Sequence, residues 1–300
     1  MAIIAYHYAH HHLSLRPFAR YPLNKFQKLY DAAQTHFPSL VNVRAGDYVE
    51  REMLLLAHSD RYVAGIESGE LPESAWRGLG FVWSTALYPR ANCIVDCTYQ
   101  ACRVALQDGI GFVLGGGAHH AAYDVGKGFC VFNDVVLASR MLQQNNLVQK
   151  ILVFDCDVHQ GDGTALLCSH DDLIFTCSIH SQSNFPFRKA TSDLDVGLDD
   201  DISDEAYVFT VKTTLNQLLR EHSFDLMIYI AGADPYVEDT LGKLSISKPA
   251  LRERDHFVFS QCYEHEIPVG VVFGGGYCSP IDKTIACNIN TLQAALEVYI

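Results

Sequence analysis

Basic residues are scarce in this sequence. Its 300 residues include 22 Lys and Arg against 35 Asp and Glu, which gives a formal net charge of -13 and a pI near 5.4. Nucleic acids and anionic membrane surfaces attract proteins through a basic face, so this charge argues against both as partners. A cationic substrate, such as a lysine-bearing peptide or a polyamine, fits the charge better.

The usual signals for secretion, membrane insertion and zinc ribbons are also missing. The ten cysteines contain no Cys-x-x-Cys pair, and several lie within apolar runs, which predicts buried reduced thiols rather than disulfides. No apolar segment approaches the roughly 20 residues that span a bilayer. The first residues have neither a basic region nor a long apolar core, so they predict a strand rather than a signal peptide. Together these absences predict a cytoplasmic protein.

Short apolar runs alternate with segments of helical spacing along the whole chain. With 49% hydrophobic residues and no linker-like segment, this alternation predicts one α/β domain over residues 1–300 with a parallel sheet. The apolar runs predict a first strand near residues 1–6 and further strands at 111–114, 151–154, 173–179, 225–231 and 268–273. Helical spacing predicts helices at 23–33, 48–56, 60–68, 92–106, 204–221, 248–264 and 283–300, and another that ends near residue 145. Residues 181–201 are predicted to be irregular.

The apolar run at 151–154 leads directly into Asp155, Asp157, His159 and Asp162. Such a run predicts a buried parallel strand, and ligands bind at the carboxyl ends of these strands. A single Asp at this place is more often a helix cap or loop anchor. Three metal-competent side chains on alternate residues favour a cation instead, because unpaired buried charges are costly. We therefore predict zinc or another divalent ion.

Three other predicted strands also run into polar residues. His119 and His120 follow three glycines after the strand at 111–114, Asp234 follows the strand at 225–231, and Tyr277 follows the strand at 268–273. The glycine triplet lacks the Lys-Ser/Thr of a phosphate loop. The paired imidazoles each need a carboxylate partner to set their tautomer. A parallel sheet would gather all these residues along one edge. The loop that contains His10 to His12 is predicted to form part of a pocket rim.

Five segments in this order resemble the histone deacetylase family, which has the arginase/deacetylase fold. They are residues 115–121, 128–134, 155–164, 231–235 and 274–277, and the resemblance extends over nearly the whole chain. Residues 20–26 and 184–189 are most similar to the bacterial, class IV-like branch. The resemblance implies a mostly parallel sheet of about eight strands with helices on both faces.

The resemblance also implies a role for each matching residue. The zinc ligands would be Asp157, His159 and Asp234, and the same ligands also serve Fe²⁺. The general base would be His120, with His119 as its neighbour. Asp155 and Asp162 would be the carboxylates behind His119 and His120 respectively. Tyr277 would supply the hydroxyl that stabilises the oxyanion. A structural potassium ion is implied at Asp155, Ser178 and Ile179. The substrate tunnel would involve Gly128, Phe129, Gly275 and one of Phe185 and Phe187.

Two departures from many eukaryotic members are visible. Gln160 stands where those members have His, which fits the bacterial-like branch. Ala118 precedes the histidine pair where they carry an aromatic residue, and the smaller side chain predicts tolerance of acyl groups longer than acetyl.

The function implied is a zinc-dependent amidohydrolase that removes acyl groups, from acetyl to longer fatty acyl, from ε-acyl-lysine in proteins. A deacetylase of small acylated amines such as acetylpolyamines is an alternative. A two-metal guanidino hydrolase is disfavoured by the His119-His120 pair and by Tyr277, which suit a single zinc. A non-catalytic acyl-lysine binding module is disfavoured because every candidate catalytic residue is present. The sequence leaves the oligomeric state open.

Overall fold

Eight parallel strands form the central sheet of the protein. The computed structural model describes residues 2–8 and 13–300, so the predicted pocket rim at His10 to His12 lies outside the described residues. Within the described part the strand order is β3-β1-β5-β10-β9-β6-β7-β8, and every neighbouring pair is parallel. The bounds are β1 Ile3–His7, β3 Val41–Ala45, β5 Ile110–Val113, β6 Ile151–Asp155, β7 Ile174–Ser181, β8 Leu194–Leu198, β9 Leu226–Ile230 and β10 Val269–Val272. Two short strands, β2 Ser14–Leu15 and β4 Phe81–Val82, pair antiparallel apart from this sheet.

Helices cover both faces of the sheet, as predicted. They are α1 Lys25–His36, α2 Arg51–Leu54, α3 Asp60–Ser68, α4 Glu73–Leu79, α5 Leu87–Asp108, α6 Asp134–Gln144, α7 Asp162–Cys168, α8 Asp204–Glu221, α9 Lys248–Glu264 and α10 Asp282–Tyr299. Gly111 in β5 faces α5 so closely that a Cβ atom there would lie 2.2 Å from the Ala101 carbonyl oxygen. The next residue, Phe112, points to the opposite face, where its ring lies 6.0 Å from that of Phe259 in α9.

The central strands and the long helices follow from local sequence. Every residue of β5, β6, β9 and β10 is buried, which is why each reads as an uninterrupted apolar run. Helices α8 and α9 have the predicted bounds, and each begins after a serine, Ser203 and Ser247, whose hydroxyl accepts a backbone N–H of the first turn. Such N-caps satisfy donors that the helix cannot.

Two local predictions were wrong. Residues 181–201 contain β8, whose alternate residues are half-buried and which pairs with β7; Gln160 Nε2 also donates to Asp195 Oδ1 in this strand at 2.8 Å. The helix predicted at 48–56 is reduced to α2, because the backbone of Val49 bonds instead to the Asn92 side chain of α5, at 2.8 and 3.0 Å. In both segments tertiary hydrogen bonds override the local pattern.

The order of the sheet brings the polar segments together. Strands β5, β10, β9 and β6 are consecutive neighbours, so the residues that follow them share one edge.

All ten cysteines are free and buried, as predicted. Among the described helices, none combines the length and apolar character that crossing a membrane requires.

Candidate active site

Three potential metal ligands meet where β6 and β9 end. His159 Nδ1 lies 2.9 Å from Asp157 Oδ1 and 3.2 Å from Asp234 Oδ2. One ligand atom from each of the three residues lies within 4.8 Å of the others, and all three residues are buried. Although it is close to the imidazole, Asp234 Oδ2 accepts no hydrogen bond from the part of the chain that the structure describes. A buried carboxylate oxygen without a hydrogen bond is the expected state of a metal ligand.

The charges at this cluster favour a cation. Burial and the neighbouring carboxylate of Asp157 raise the pKa of Asp234 to about 7. Burial opposes charge on His159, but the hydrogen bond to Asp157 and the nearby carboxylate of Asp234 outweigh it and raise the pKa of this imidazole to about 10. Gly275 leaves space for the carboxylates, since a Cβ atom there would lie 1.8 Å from Asp234 Oδ2. One nitrogen and two carboxylate ligands fit a zinc ion.

The two adjacent histidines form separate pairs with carboxylates. His119 Nδ1 lies 2.6 Å from Asp155 Oδ2, and His120 Nδ1 lies 2.8 Å from Asp162 Oδ1. Burial disfavours charge on His119, but Asp155 and Asp157 outweigh it and raise its pKa to about 9. Burial and the His119 charge lower the pKa of His120 to about 3, against the influence of Asp162. His120 is therefore neutral near pH 7, with its Nδ1–H directed to Asp162.

Tyr277 reaches the same site from the loop after β10. Its ring lies 6.2 Å from the His159 ring and 6.3 Å from the Phe129 ring. Burial, followed by the carboxylates of Asp157 and Asp234, raises the pKa of Tyr277 well above its usual value. The side chain is thus a neutral phenol that can donate a hydrogen bond.

A cavity of about 490 Å³, its open mouth included, connects these groups to the surface. Its lining includes both histidines with Gly128, Phe129, Gly275 and Tyr277. The Phe185 ring lies 5.0 Å from that of His120 and edge-on to it. Phe187 is 85% exposed and contacts the Phe185 ring from outside, at 6.4 Å. Of these two candidates for the tunnel wall, Phe185 is the one that borders the histidines.

Comparison with known proteins identifies the family. The model of the histone deacetylase domain matches residues 22–292. The chain belongs to the histone deacetylase family. An uncharacterized protein of Picosynechococcus sp. is 36% identical over 289 residues, which cover 93% of this chain and 94% of that protein. Histone deacetylase 2 of Arabidopsis thaliana is 28% identical over 250 residues, 80% of this chain and 64% of that protein.

More distant relatives match part of the chain or its fold. The acetoin utilization protein AcuC of Staphylococcus aureus is 28% identical over 175 residues, 54% of this chain and 45% of that protein. The crystal structure of the HDA15 HD domain superposes with a TM-score of 0.83 over 99% of this chain and 90% of that one, at 17% identity. This similarity shows a shared fold.

Three polar residues of this histone deacetylase family member were not identified from the sequence. Lys127 forms an ion pair with Asp162, the carboxylate behind His120. Asp239 Oδ2 accepts the backbone N–H of Tyr277 at 2.6 Å, and the buried Lys25 donates from Nζ to the Gly274 carbonyl at 2.8 Å. Lys and Asp in loops and at helix starts are usually exposed, so no sequence pattern distinguishes these three.

The residues predicted for a potassium site lie beside the histidine pairs. Asp155 and Ser178 are register partners in β6 and β7, and Ile179 follows as a buried residue. Asp155 Oδ1 accepts the backbone N–H of Asp157 at 2.9 Å, and Ser178 Oγ lies 3.0 Å from His180 Nδ1. The potassium ion itself stays a prediction.

Proposed function

We propose that this chain is a zinc-dependent amidohydrolase that removes acyl groups from ε-acyl-lysine. The observation that carries the proposal is that three metal-competent ligands and two imidazole–carboxylate pairs lie together beside one cavity, which Asp157, both histidines and the neutral Tyr277 line. Each of these has a separate task in amide hydrolysis. Membership of the deacetylase family supports the reaction class.

Asp157, His159 and Asp234 would hold the zinc ion. When bound, zinc supplies Lewis-acid polarisation of the carbonyl and lowers the pKa of water to about 7. His120, neutral and held by Asp162, accepts the proton of the attacking water. Its charged neighbour His119 favours negative charge at the reacting carbonyl. His120 then returns the proton to the leaving ε-amine as the amide C–N bond breaks.

Two aromatic groups and one hydroxyl complete the arrangement. The Phe129 ring lines the cavity, the Phe185 ring lies edge-on to His120 beside it, and both rings suit the methylene chain of a lysine. The Tyr277 hydroxyl donates a hydrogen bond to the carbonyl oxygen as that atom becomes negative. A preorganised donor of this kind typically contributes about 10²–10³ in rate.

The deciding experiment combines turnover with metal analysis. We expect chelator-sensitive hydrolysis of an acetyl-lysine peptide by the wild-type protein. Asp157→Ala should lose both zinc and activity. His120→Ala should keep stoichiometric zinc but lose about 10²–10⁴ in rate, because a general base is removed. Asp172→Ala, which changes an exposed aspartate, is the control and should resemble the wild type.

Each alternative gives a different result. Turnover of acetylpolyamines alone would replace the protein substrate by a small amine. Bound zinc with no turnover of either substrate would contradict the enzyme proposal and favour a binding module. Stoichiometric zinc in Asp157→Ala would show that the ligand assignment is wrong.

A further inference from the structure

The cavity continues inward beyond the candidate catalytic residues. Its lining also includes Tyr8, Tyr21, Phe26 and Ile94, together with Ala118; Tyr8 and Phe26 are buried, and the part of the cavity beside these four residues is called its inner end. The Tyr21 ring lies 4.9 Å from the Phe129 ring, which in turn contacts Tyr277. The Phe129 ring therefore lies between the inner end and the reacting groups. The small side chain of Ala118 leaves the inner end accessible to an acyl group.

A buried arginine lies directly behind this inner lining. Arg90, in α5, is 6% exposed. Its Nη2 donates to the Tyr21 hydroxyl at 3.4 Å, and its Cζ lies 5.2 Å from the centre of the Tyr8 ring. Among the described residues it forms no ion pair, and the remaining residues, 1 and 9–12, include no carboxylate.

The charge of Arg90 is only partly compensated. Arginine stays protonated in proteins, and a cation without a buried counter-charge is costly. Contact with the Tyr8 ring offsets some of this cost. Burial raises the pKa of Tyr8 well above its usual value, so this side chain supplies no negative charge.

The hydroxyl groups at this end have hydrogen-bonding capacity to spare. Tyr8 Oη is buried and has no hydrogen-bond partner within residues 2–8 and 13–300. The Tyr21 oxygen accepts from Arg90, which leaves the hydroxyl hydrogen of Tyr21 for an acceptor. The buried carboxylate of Asp134, beside Gly116, already accepts three hydrogen bonds, from Thr98 Oγ1 at 2.6 Å and from the backbone N–H groups of residues 117 and 118, at 3.0 and 2.7 Å.

We propose that this inner end binds a terminal carboxylate of the acyl group, so that the favoured substrate is lysine carrying a dicarboxylic acyl group such as succinyl or glutaryl. The proposal rests on the proposed function and names its substrate class. Arg90 supplies the counter-charge, and the hydroxyls of Tyr8 and Tyr21 donate to the carboxylate oxygens. Water forms the new C–O bond, the amide C–N bond breaks, and the products are a free dicarboxylate and the ε-amine, which takes the proton.

An unbranched fatty acyl chain fits this end less well. Its terminal methyl group would meet the unpartnered Tyr8 hydroxyl in front of Arg90, and it would displace any water that solvates these groups. Leaving buried polar groups unsatisfied opposes binding. The small Ala118 side chain predicts tolerance of acyl groups longer than acetyl. The polar groups at the inner end restrict this prediction, because among longer acyl groups they favour those with an anionic end.

The test compares four lysine peptides that differ only in the acyl group: acetyl, butyryl, succinyl and the neutral amide succinamyl. We expect kcat/KM for succinyl to exceed that for succinamyl by about 10- to 100-fold, the range of a charge-assisted hydrogen bond. Arg90→Gln and Tyr8→Phe should each lower this ratio. Arg103→Gln, an exposed arginine in the same helix, is the matched control and should leave the ratio as in the wild type.

The outcomes separate the two proposals. If the wild type hydrolyses none of the four peptides, the proposed function fails. If acetyl-lysine is hydrolysed but succinyl is no faster than succinamyl, the carboxylate site is wrong and the deacylase proposal stands. A high ratio that persists in both Arg90→Gln and Tyr8→Phe would also overturn the site. Should Arg90→Gln not fold, the wild-type ratio and Tyr8→Phe, which loses only a hydroxyl, decide.

Discussion

Backbone contacts, rather than its hydroxyl, hold Tyr277 in place. Its N–H donates to Asp239 and its carbonyl accepts from Thr240 Oγ1, each at 2.6 Å. The substitution Tyr277→Phe should therefore keep the ring and its neighbours. We expect kcat to fall by about 10²–10³-fold, because one donor to the developing oxyanion is lost, while zinc remains stoichiometric. Steady-state kinetics with metal analysis measures both.

The exposed Tyr263 of α9 provides the matched control, since Tyr263→Phe removes the same hydroxyl far from the cavity lining. An unchanged kcat in Tyr277→Phe would exclude its hydroxyl from the chemistry. Loss of zinc in that variant would instead assign Tyr277 a structural role at the metal site.

Single residues differed in how well the sequence predicted their positions. Asp157, His159 and Asp234 were predictable as a cluster, because each follows a strand that apolar residues define. Lys25 and Asp239 were not, because their roles depend on the backbone groups that tertiary folding brings to them. A side chain that bonds to a distant main chain leaves no periodic pattern in the sequence.

At the scale of elements, His58 joins the loop before α3 to the start of α6. Its Nδ1–H donates to the Ala122 carbonyl and its Nε2 accepts the Asn133 N–H, both at 2.9 Å. Asn133 caps α6 and bonds to the Ala121 carbonyl at 3.1 Å. This network supports the segment that follows His119 and His120, and it requires a neutral imidazole.

Stability should consequently fall in acid through His58. Burial lowers its pKa to about 4, against about 6.5 in the unfolded chain. The unfolded state thus binds more protons between these values, and the stabilisation present above pH 6.5 is lost as the pH falls towards 4. We expect the His58 contribution to fall by about 2 kcal/mol from pH 7 to pH 5.

Denaturant unfolding at these two pH values measures this loss. In His58→Gln the difference between pH 7 and pH 5 should be smaller by that amount, whereas His170→Gln, at an exposed position, should behave as the wild type. An equal pH dependence in His58→Gln and the wild type would contradict the neutral-imidazole network.

Elements were predictable where burial alone defines them. The four central strands are buried on both faces, so their apolar runs mark them. The edge strand β8 and the short helix α2 depend on partners from other parts of the chain, and local pattern missed the first and overextended the second. These errors did not affect where the site residues were predicted to lie, because those residues follow the central strands.

At the scale of the whole molecule, the proposed zinc site ties together three strands of the sheet. Asp157 follows β6, Asp234 follows β9, and the Gly275 N–H after β10 donates to Asp157 Oδ2 at 2.6 Å. Removing a bound cation would leave two buried carboxylates facing each other, an arrangement that costs free energy. Zinc binding should therefore stabilise the sheet centre as well as the site.

Chelation should consequently lower the melting temperature. A ligand at 1,000 times its Kd stabilises the folded state by about 4 kcal/mol, which for a domain of this size corresponds to about 6 °C. Thermal unfolding with and without a chelator, and after zinc is restored, measures the shift. Asp157→Ala is the control: lacking a ligand, it should melt at the same temperature with and without the chelator. A similar shift in Asp157→Ala would place the stabilising cation elsewhere, and no shift in the wild type would mean that the carboxylates are accommodated without a metal.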